Sequence, residues 1–203
     1  MAMTTKQPLY EGNDIMDKLT LRHNMHALLA KIDAADRHTR SLAACNRLAE
    51  TQEFRSAQLI MIFLSMESEV ETSTLAIQAW SAGKQIAVPR VFWEQRAIEP
   101  VEIQSLDFSP SGKALSPRNP VHGKPVSLGQ IDLIVVPGIA FDRRGYRLGR
   151  GKGFYDRFLA QKDLRALRVA LCFQEQVLPQ DLPVEPHDVP MNMIVTDESV
   201  IRC

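Results

Sequence analysis

Cysteine is scarce in this chain, and neither positive nor negative charge is in excess. Three cysteines, Cys45, Cys172 and Cys203, stand far apart among 203 residues, a set typical of neither a disulfide framework nor a zinc site. They predict a reducing compartment, and we expect the cytoplasm. Lys plus Arg and Asp plus Glu number 24 each. With a net charge of zero, the chain lacks the general basic field with which proteins bind long nucleic acids.

Long apolar runs are also missing. No stretch approaches the roughly 20 apolar residues of a membrane-spanning helix. The first dozen residues have neither the apolar centre of a signal peptide nor the Arg-rich, acid-poor composition of a transit peptide. We expect a disordered leader over residues 1–13 and one domain over residues 14–203. Internal repeats and low-complexity tracts are absent from the sequence.

Apolar patterns alternate between strand and helix lengths along the chain. Residues 15–32 carry a helical stripe, and Asp33, followed by Asp36, is typical of the start of a second helix that reaches residue 50. We expect Thr72 to begin a helix to residue 82, and the glycine-rich segment to lead into one that reaches residue 166. Strands are predicted at 59–64, 85–88, 98–103, 131–136, 168–173 and 191–195.

Strands that alternate with helices predict an α/β fold, with three layers and a mostly parallel sheet covered by helices on both faces. Ligands of such sheets bind beyond the carboxyl ends of the strands. The predicted strand ends near Leu64, Val136 and Phe173 therefore mark one site. Residues 105–130, rich in proline, serine and glycine, are expected to form mostly loop.

The segment RLGRGKGFYD, residues 147–156, alternates three glycines with cations and ends in two aromatic residues and a carboxylate. It lies between a predicted strand and a predicted helix, where backbone N–H groups without helical partners face an anion. The spacing fits neither the Walker loop nor the dinucleotide fingerprint. Phosphate binding is the favoured interpretation, and a turn with a solvated basic rim is the alternative.

Residues 137–159, PGIAFDRRGYRLGRGKGFYDRFL, closely resemble the signature of the 5-formyltetrahydrofolate cyclo-ligase family, also called methenyltetrahydrofolate synthetase. Three more segments resemble the family in the same order: KLTLR at 18–22, FLSMESEVET at 63–72, and FQEQVLPQDLPVEPHDVPMNMIVTD at 173–197. The resemblance spans nearly the whole chain. The residues alone indicate a phosphate site, and the prediction that folate binds rests only on the resemblance.

The resemblance implies that the chain uses magnesium and ATP to convert 5-formyltetrahydrofolate into 5,10-methenyltetrahydrofolate. It implies magnesium ligation by Asp156 and Asp188. Catalytic roles are implied for Arg147, Lys152 and Tyr155. Folate contacts are implied for Leu64, Glu69, Arg150 and Tyr155. The implied ATP contacts are Lys18, Arg22, Arg147, Leu148, Gly149, Arg150, Gly151, Lys152, Gly153, Phe154 and Tyr155, with Phe154 acting mainly in packing.

Five of these residues also have a plain structural interpretation. Lys18 and Arg22, four residues apart, fit a solvated basic helix edge. Glu69 fits an acidic stretch before a helix, where the helix dipole favours acids. Asp188 fits a turn before a strand. Tyr155 fits a packed side chain with a satisfied hydroxyl.

The sequence departs from the family pattern at two places. Ser116-Pro117 stands where many members carry Glu-Pro, which weakens any folate contact predicted in that loop. Lys152 stands where many members have glycine, and it adds charge beside the phosphates. His23 and His26 lack a third ligand nearby in the sequence and are expected to be solvated.

Two other functions remain open on the sequence. One is an ATP-dependent enzyme of the same fold with another substrate. The other is a non-catalytic module that binds a nucleotide or RNA through the basic cluster. The favoured partners are two small molecules, folate and ATP, with no nucleic acid and no membrane, and we expect a monomer.

Overall fold

The computed structural model describes residues 17–106, 120 and 123–203. The predicted leader and the Ser116-Pro117 departure lie outside these residues. Over the described ranges, no helix is long and apolar enough to cross a membrane. Cys45 and Cys172 are buried and Cys203 is exposed, and all three are free thiols.

Five α-helices and eleven short strands make up the described part of the chain, with single 3-10 turns at Leu128–Gln130 and Gln174–Gln176. The helices are α1 Lys18–Leu29, α2 Ala34–Ala49, α3 Gln52–Ser56, α4 Ser73–Ser81 and α5 Phe154–Leu159. The strands are β1 Leu59–Met61, β2 Gln85–Phe92, β3 Ala97–Ile103, β4 Lys124–Pro125, β5 Leu133–Val136, β6 Ala140–Asp142, β7 Arg147–Leu148, β8 Leu167–Leu171, β9 Val177–Leu178, β10 Met193–Val195 and β11 Val200–Arg202.

The main sheet has eight strands in the order β11-β10-β8-β5-β1-β2-β3-β4. The five central strands, β10 to β2, pair in parallel. The antiparallel pairs are confined to the two flanks. A small second sheet, β7-β6-β9, follows the central strand β5 in the chain. The predicted α/β fold with a mostly parallel sheet is confirmed.

Strand β5 shows why helices cover both faces of the sheet. Its four residues are almost completely buried, and successive side chains point to opposite faces. Leu133 and Val135 join the cluster that holds the buried faces of α2 and α4. Ile134 and Val136 join the cluster that holds Phe158 of α5. A strand that is buried on both faces has a continuous apolar sequence, as residues 133–136 do.

The starts of α2 and α4 both match their predictions, but only α2 has the expected side-chain cap. The Asp33 carboxylate accepts from the Asp36 N–H at 2.9 Å, a side-chain cap that satisfies a free donor of the first turn. Thr72 precedes α4 but makes no cap hydrogen bond. Its hydroxyl instead donates to the Phe63 carbonyl at 2.6 Å, so tertiary contact takes precedence over the cap.

Several predicted boundaries were wrong, including the ends of α1 and β1, which were predicted three residues too late. Strand β2 does not end at Pro89 but continues to Phe92, because β3 pairs with it along its length and Pro89 lies opposite Pro100. Two residues without N–H groups occupy a pair in which neither needs to donate. The helix after the glycines ends at Leu159 rather than near residue 166. Short elements at α3, β6, β7, β9 and β11 were not predicted.

Asp142, at the end of β6, is a completely buried carboxylate. One oxygen accepts from the backbone N–H groups of Arg144 and Tyr146. The other accepts from the Arg144 guanidinium and, at 3.0 Å, from the Leu182 N–H. These bonds fix the β6–β7 turn and tie the segment around Leu182 to it.

Ile134→Ala should lower the free energy of unfolding by about 2–5 kcal/mol, because it leaves a cavity between the sheet and α5. Urea denaturation measures the change. Lys162→Ala, at an exposed position after α5, is the control and should stay within about 0.5 kcal/mol of the parent. A loss below about 1 kcal/mol for Ile134→Ala would contradict the described packing.

Candidate functional site

The candidate site lies where four segments meet beyond the carboxyl ends of the parallel strands. Helix α1 supplies Lys18 and Arg22, and the loop after β1 supplies Glu69. The segment from β7 into α5 supplies the glycines and Arg147. The turn at 185–188 supplies Asp188. Direct hydrogen bonds join all four segments.

The glycine-rich loop uses backbone conformations that other residues rarely adopt. Gly151 has φ +85° and Gly153 has φ +68°, both in the left-handed region. Gly153 directly precedes α5, so the loop ends where the helix begins. The Nε of Arg22 donates to the Gly149 carbonyl at 2.8 Å, which ties the loop to α1.

Arg147 places a buried positive charge at the centre of the site. Its side chain is only 6% exposed, and its Nη2 donates to Oδ1 of Asp156 at 2.5 Å. Burial lowers the pKa of Arg147, against the opposing effect of Asp156. Its guanidinium lies 5.7 Å from the centre of the Tyr155 ring. The buried Nε has no hydrogen-bond partner among the described residues, so it is available as a donor.

Tyr155 presents a second unused polar group. The residue is partly exposed, but its hydroxyl is buried and has no hydrogen-bond partner within the described ranges. Burial raises the pKa of Tyr155, and the nearby Glu69 raises it further. The hydroxyl is therefore protonated at neutral pH and able to donate. Burying a hydroxyl without a partner costs about 1–3 kcal/mol, which a bound acceptor would recover.

Lys18 connects the first helix to the turn near the C-terminus. Its Nζ donates to Oε1 of Glu185 at 2.7 Å and to Oδ2 of Asp188 at 3.3 Å. Partial burial acts to lower the pKa of Lys18, but the two carboxylates outweigh it and the pKa is raised. Lys18 and Asp188 were both predicted, whereas Glu185 was missed because a proline-rich loop gave no pattern that singled it out.

Glu69 and Arg150 join the glycine-rich loop to the loop after β1. The Nη2 of Arg150 donates to Oε1 of Glu69 at 3.0 Å. The second Glu69 oxygen accepts from the Met66 N–H at 2.9 Å, which orients the carboxylate. Leu64 is buried in the cluster that also holds α2 and α4.

The remaining predicted residues have different surroundings. Lys152 is exposed, and its side chain makes no ion pair within the described ranges. Its carbonyl accepts from Arg157 at 2.8 Å. The Phe154 ring packs edge-on against Trp93 at 5.2 Å. Leu148 is buried in a small cluster with α1. His23 and His26 are exposed, as expected.

Asp156 and Asp188 have the donor chemistry that magnesium takes. Both offer carboxylate oxygens, and magnesium commonly uses one or two carboxylates together with phosphate oxygens and waters. Oδ1 of Asp156 accepts from Arg147, and Oδ2 accepts no hydrogen bond from any described residue. Among those residues, no group of three or more His, Cys, Asp or Glu side chains is arranged to hold a metal. The two carboxylates fit a metal that arrives with phosphates.

Comparisons with known proteins identify the family of this chain. The model of the 5-formyltetrahydrofolate cyclo-ligase family matches residues 14–197. A 5-formyltetrahydrofolate cyclo-ligase of Mus musculus is 31% identical over 90% of this chain and 94% of its own length. One from Arabidopsis thaliana, named as mitochondrial, is 28% identical over 99% of this chain and 81% of its own length.

A solved structure agrees in fold as well as in sequence. The 5,10-methenyltetrahydrofolate synthetase of Aquifex aeolicus superposes with a TM-score of 0.79 and 30% identity, covering 92% of this chain and 93% of its own. The family match spans α1, the glycine-rich loop and the 185–188 turn, which are the segments that meet at the site. The chain therefore belongs to the 5-formyltetrahydrofolate cyclo-ligase family.

Proposed function

We propose that this chain converts 5-formyltetrahydrofolate to 5,10-methenyltetrahydrofolate with ATP and magnesium, releasing ADP and phosphate. The observation that carries the proposal is the buried pair of unused donors, Arg147 Nε and the Tyr155 hydroxyl, beside a glycine-rich loop. Unpartnered buried donors are costly, and an anionic ligand that accepts from them removes that cost.

The triphosphate would bind to the cations and backbone of the site. Lys18 and Arg22 approach it from α1, and Arg147 and Lys152 from the glycine-rich segment. Positioning and charge stabilisation are the main demands of phosphoryl transfer. The ATP-contacting set is Lys18, Arg22, Arg147, Leu148, Gly149, Arg150, Gly151, Lys152, Gly153, Phe154 and Tyr155.

The folate would lie on the side of Glu69. Its carboxylate accepts from the amide and amine donors of a pterin ring. Leu64 and Tyr155 supply apolar surface, and Arg150 exchanges its bond with Glu69 for one with the ligand. The formyl oxygen then faces the γ-phosphate.

The reaction would proceed by activation of the formyl oxygen. That oxygen attacks the γ-phosphorus, and the bond to ADP breaks. Nitrogen 10 of the folate attacks the activated carbon and gives up its proton, and the carbon–oxygen bond breaks as phosphate leaves. Arg147, Lys152 and Tyr155 stabilise the negative charge that moves among the phosphate oxygens. No protein nucleophile takes part.

Asp156 and Asp188 would hold the magnesium ion. When bound, the ion neutralises charge on the phosphate oxygens and orients them. Arg147 and Lys18, which now pair with these carboxylates, become available to the phosphates. The carboxylates would pair with magnesium and the two cations with the phosphates. No buried charge would then be left without a partner of opposite charge.

The ion pairs weigh against the RNA-binding alternative. Of the clustered cations at 143–152, Arg144, Arg147 and Arg150 each pair with a carboxylate. A surface for long nucleic acids presents several cations free to contact successive phosphates. Turnover of other substrates is tested with a panel of formylated and carboxylated amines.

We also propose a cytoplasmic location, supported by three free cysteines, with fluorescence imaging of a fusion protein as its test.

Product formation should require both ATP and magnesium, and Asp156→Asn should lower kcat at least about 100-fold, because the metal loses a charged ligand. Absorbance of the methenyl product in the near ultraviolet follows the reaction. Asp163→Asn, at an exposed position, is the matched control and should keep parental activity. Product formation with excess chelator present would contradict the metal's role.

Lys152→Ala should raise KM for ATP about tenfold and leave KM for the folate unchanged, because the exposed ammonium is available only to the phosphates. Steady-state kinetics with each substrate varied separately measure the effect. Lys162→Ala, another exposed lysine, serves as the control. Equal ATP kinetics in both variants would mean that Lys152 belongs to a solvated rim.

Tyr155→Phe should stabilise the ligand-free protein by about 1 kcal/mol, because it removes a buried hydroxyl that has no partner. The same change should lower kcat by about tenfold or more, because the bound phosphates or formyl oxygen lose a donor. Thermal denaturation and the product assay measure the two effects. Tyr146→Phe is the control, and unchanged kcat in Tyr155→Phe would exclude a ligand contact of this hydroxyl.

A further inference from the structure

Helix α2 takes no part in the proposed reaction, yet three of its residues contact a single residue of the loop after β1. His38, Ser41 and Cys45 are spaced by three and four positions, so they share one face of the helix. All three contact Glu71, which lies two residues after Glu69. The helix therefore holds the loop that carries the proposed folate carboxylate.

Two of the contacts are buried and hold the backbone of Glu71. Oγ of Ser41 accepts from the Glu71 N–H at 3.0 Å, and Sγ of Cys45 donates to the Glu71 carbonyl at 3.4 Å. Ser41 and Cys45 are both almost completely buried. Burial raises the pKa of Cys45 to about 12, so the thiol stays protonated at neutral pH and keeps its donor. The helix thus fixes both backbone polar groups of one loop residue.

The third contact is an exposed one. Nδ1 of His38 lies 2.8 Å from Oε2 of Glu71, and the two side chains are 59% and 40% exposed. Water competes for exposed pairs of this kind, so they stabilise a structure only slightly. The position of the loop depends mainly on Ser41 and Cys45.

The loop is also closed by its own hydrogen bonds. Oγ of Ser65 donates to the Val70 carbonyl at 2.7 Å and accepts from the Thr72 N–H at 2.9 Å. The Val70 side chain is buried in the same cluster as Cys45. Because the residues that follow Glu69 are fixed in this way, a shift of the loop at α2 displaces the Glu69 carboxylate as well.

Helix α2 is itself anchored to the ends of two central strands. Nε of Arg40 donates to Oδ2 of Asp197 at 2.5 Å, and Nη1 of Arg47 donates to the Asp197 carbonyl at 2.6 Å. Asp197 follows β10, and its Oδ1 accepts at 2.8 Å from the N–H of Gln174, which follows β8. The helix can therefore serve as a fixed support for the loop.

We propose that Ser41 and Cys45 are positioning residues for the folate, which hold the Glu69 carboxylate in place through the backbone of Glu71. The inference rests on the proposed function, because that function assigns the folate to Glu69. A displacement of about 1 Å at a group that orients a substrate can cost about 100-fold in rate. Two hydrogen bonds from α2 would thus control how well the folate binds without contacting it.

The first test compares two hydroxyl groups at opposite ends of α2. Ser41→Ala removes the acceptor of the Glu71 N–H and should raise KM for 5-formyltetrahydrofolate about threefold to tenfold, with KM for ATP within about twofold. Thr51→Ala is the matched control, because the buried Thr51 hydroxyl also accepts a backbone N–H, that of Phe54 at 3.2 Å. The control should lower thermal stability and leave both KM values at the parental level.

A second pair of variants separates the donor from the packing at residue 45. Cys45→Ala removes the donor to the Glu71 carbonyl and should raise KM for the folate about twofold to threefold. Cys45→Ser keeps a donor at this position and should retain the parental KM. A role in packing alone would give no such difference between the two variants.

Hydrogen exchange of the ligand-free protein tests the loop independently of turnover. Amides of residues 66–71 should exchange faster in Ser41→Ala than in Thr51→Ala, because only the first change frees the loop. Parental KM for the folate in Ser41→Ala would overturn the proposal, as would equal rises of KM for folate and ATP. Faster exchange in a protein that does not turn over 5-formyltetrahydrofolate would uphold the attachment of the loop to α2 and refute the proposed reaction.

Discussion

The buried carboxylate of Asp142 organises the path of the chain on both sides of the site. It has no contact with water, so its charge is stable only because backbone N–H groups and the Arg144 guanidinium surround it. The turn that it closes leads directly into the glycine-rich loop. Its bond to the Leu182 N–H anchors the stretch that goes on to Glu185 and Asp188. The two proposed metal carboxylates, Asp156 and Asp188, therefore lie on segments held at one point.

The ligand-free site is close to electrical balance. Lys18 pairs with Glu185 and Asp188, Arg147 with Asp156, and Arg150 with Glu69. Such pairs hold the cations in place before any ligand arrives, so less side-chain entropy is lost on binding. The unused donors on Arg147 and Tyr155 lie within the same arrangement. The candidate site therefore combines pre-organised ion pairs with donors that no described residue uses.

Much of the fold could be predicted from the sequence because its central strands are buried on both faces. A continuous apolar run such as residues 133–136 is typical of a buried parallel strand. The short elements could not be predicted, since β6, β7 and β9 contain two or three residues each and form only through pairing with distant segments. Thr72 carries a capping side chain, but its hydroxyl bonds to Phe63 from the preceding loop.

The residues of the site could be predicted in part, but the contacts between them could not. Glycine spacing and cations indicate a phosphate loop, and family resemblance singles out Lys18, Glu69 and Asp188. The bond between Arg22 and the Gly149 carbonyl links residues 127 positions apart, and no local pattern encodes it. Glu185 was missed for the same reason, since its partner Lys18 is remote in sequence.

The Lys18–Asp188 contact joins residues 170 positions apart, near opposite ends of the described chain. The parallel pairs β1–β5 and β5–β8 likewise join distant segments, so the fold depends on long-range closure and forms slowly compared with local structures. During synthesis on the ribosome, the cations of α1 emerge long before the carboxylates that hold them. The nascent chain can therefore complete the proposed site only after its last strands have been released.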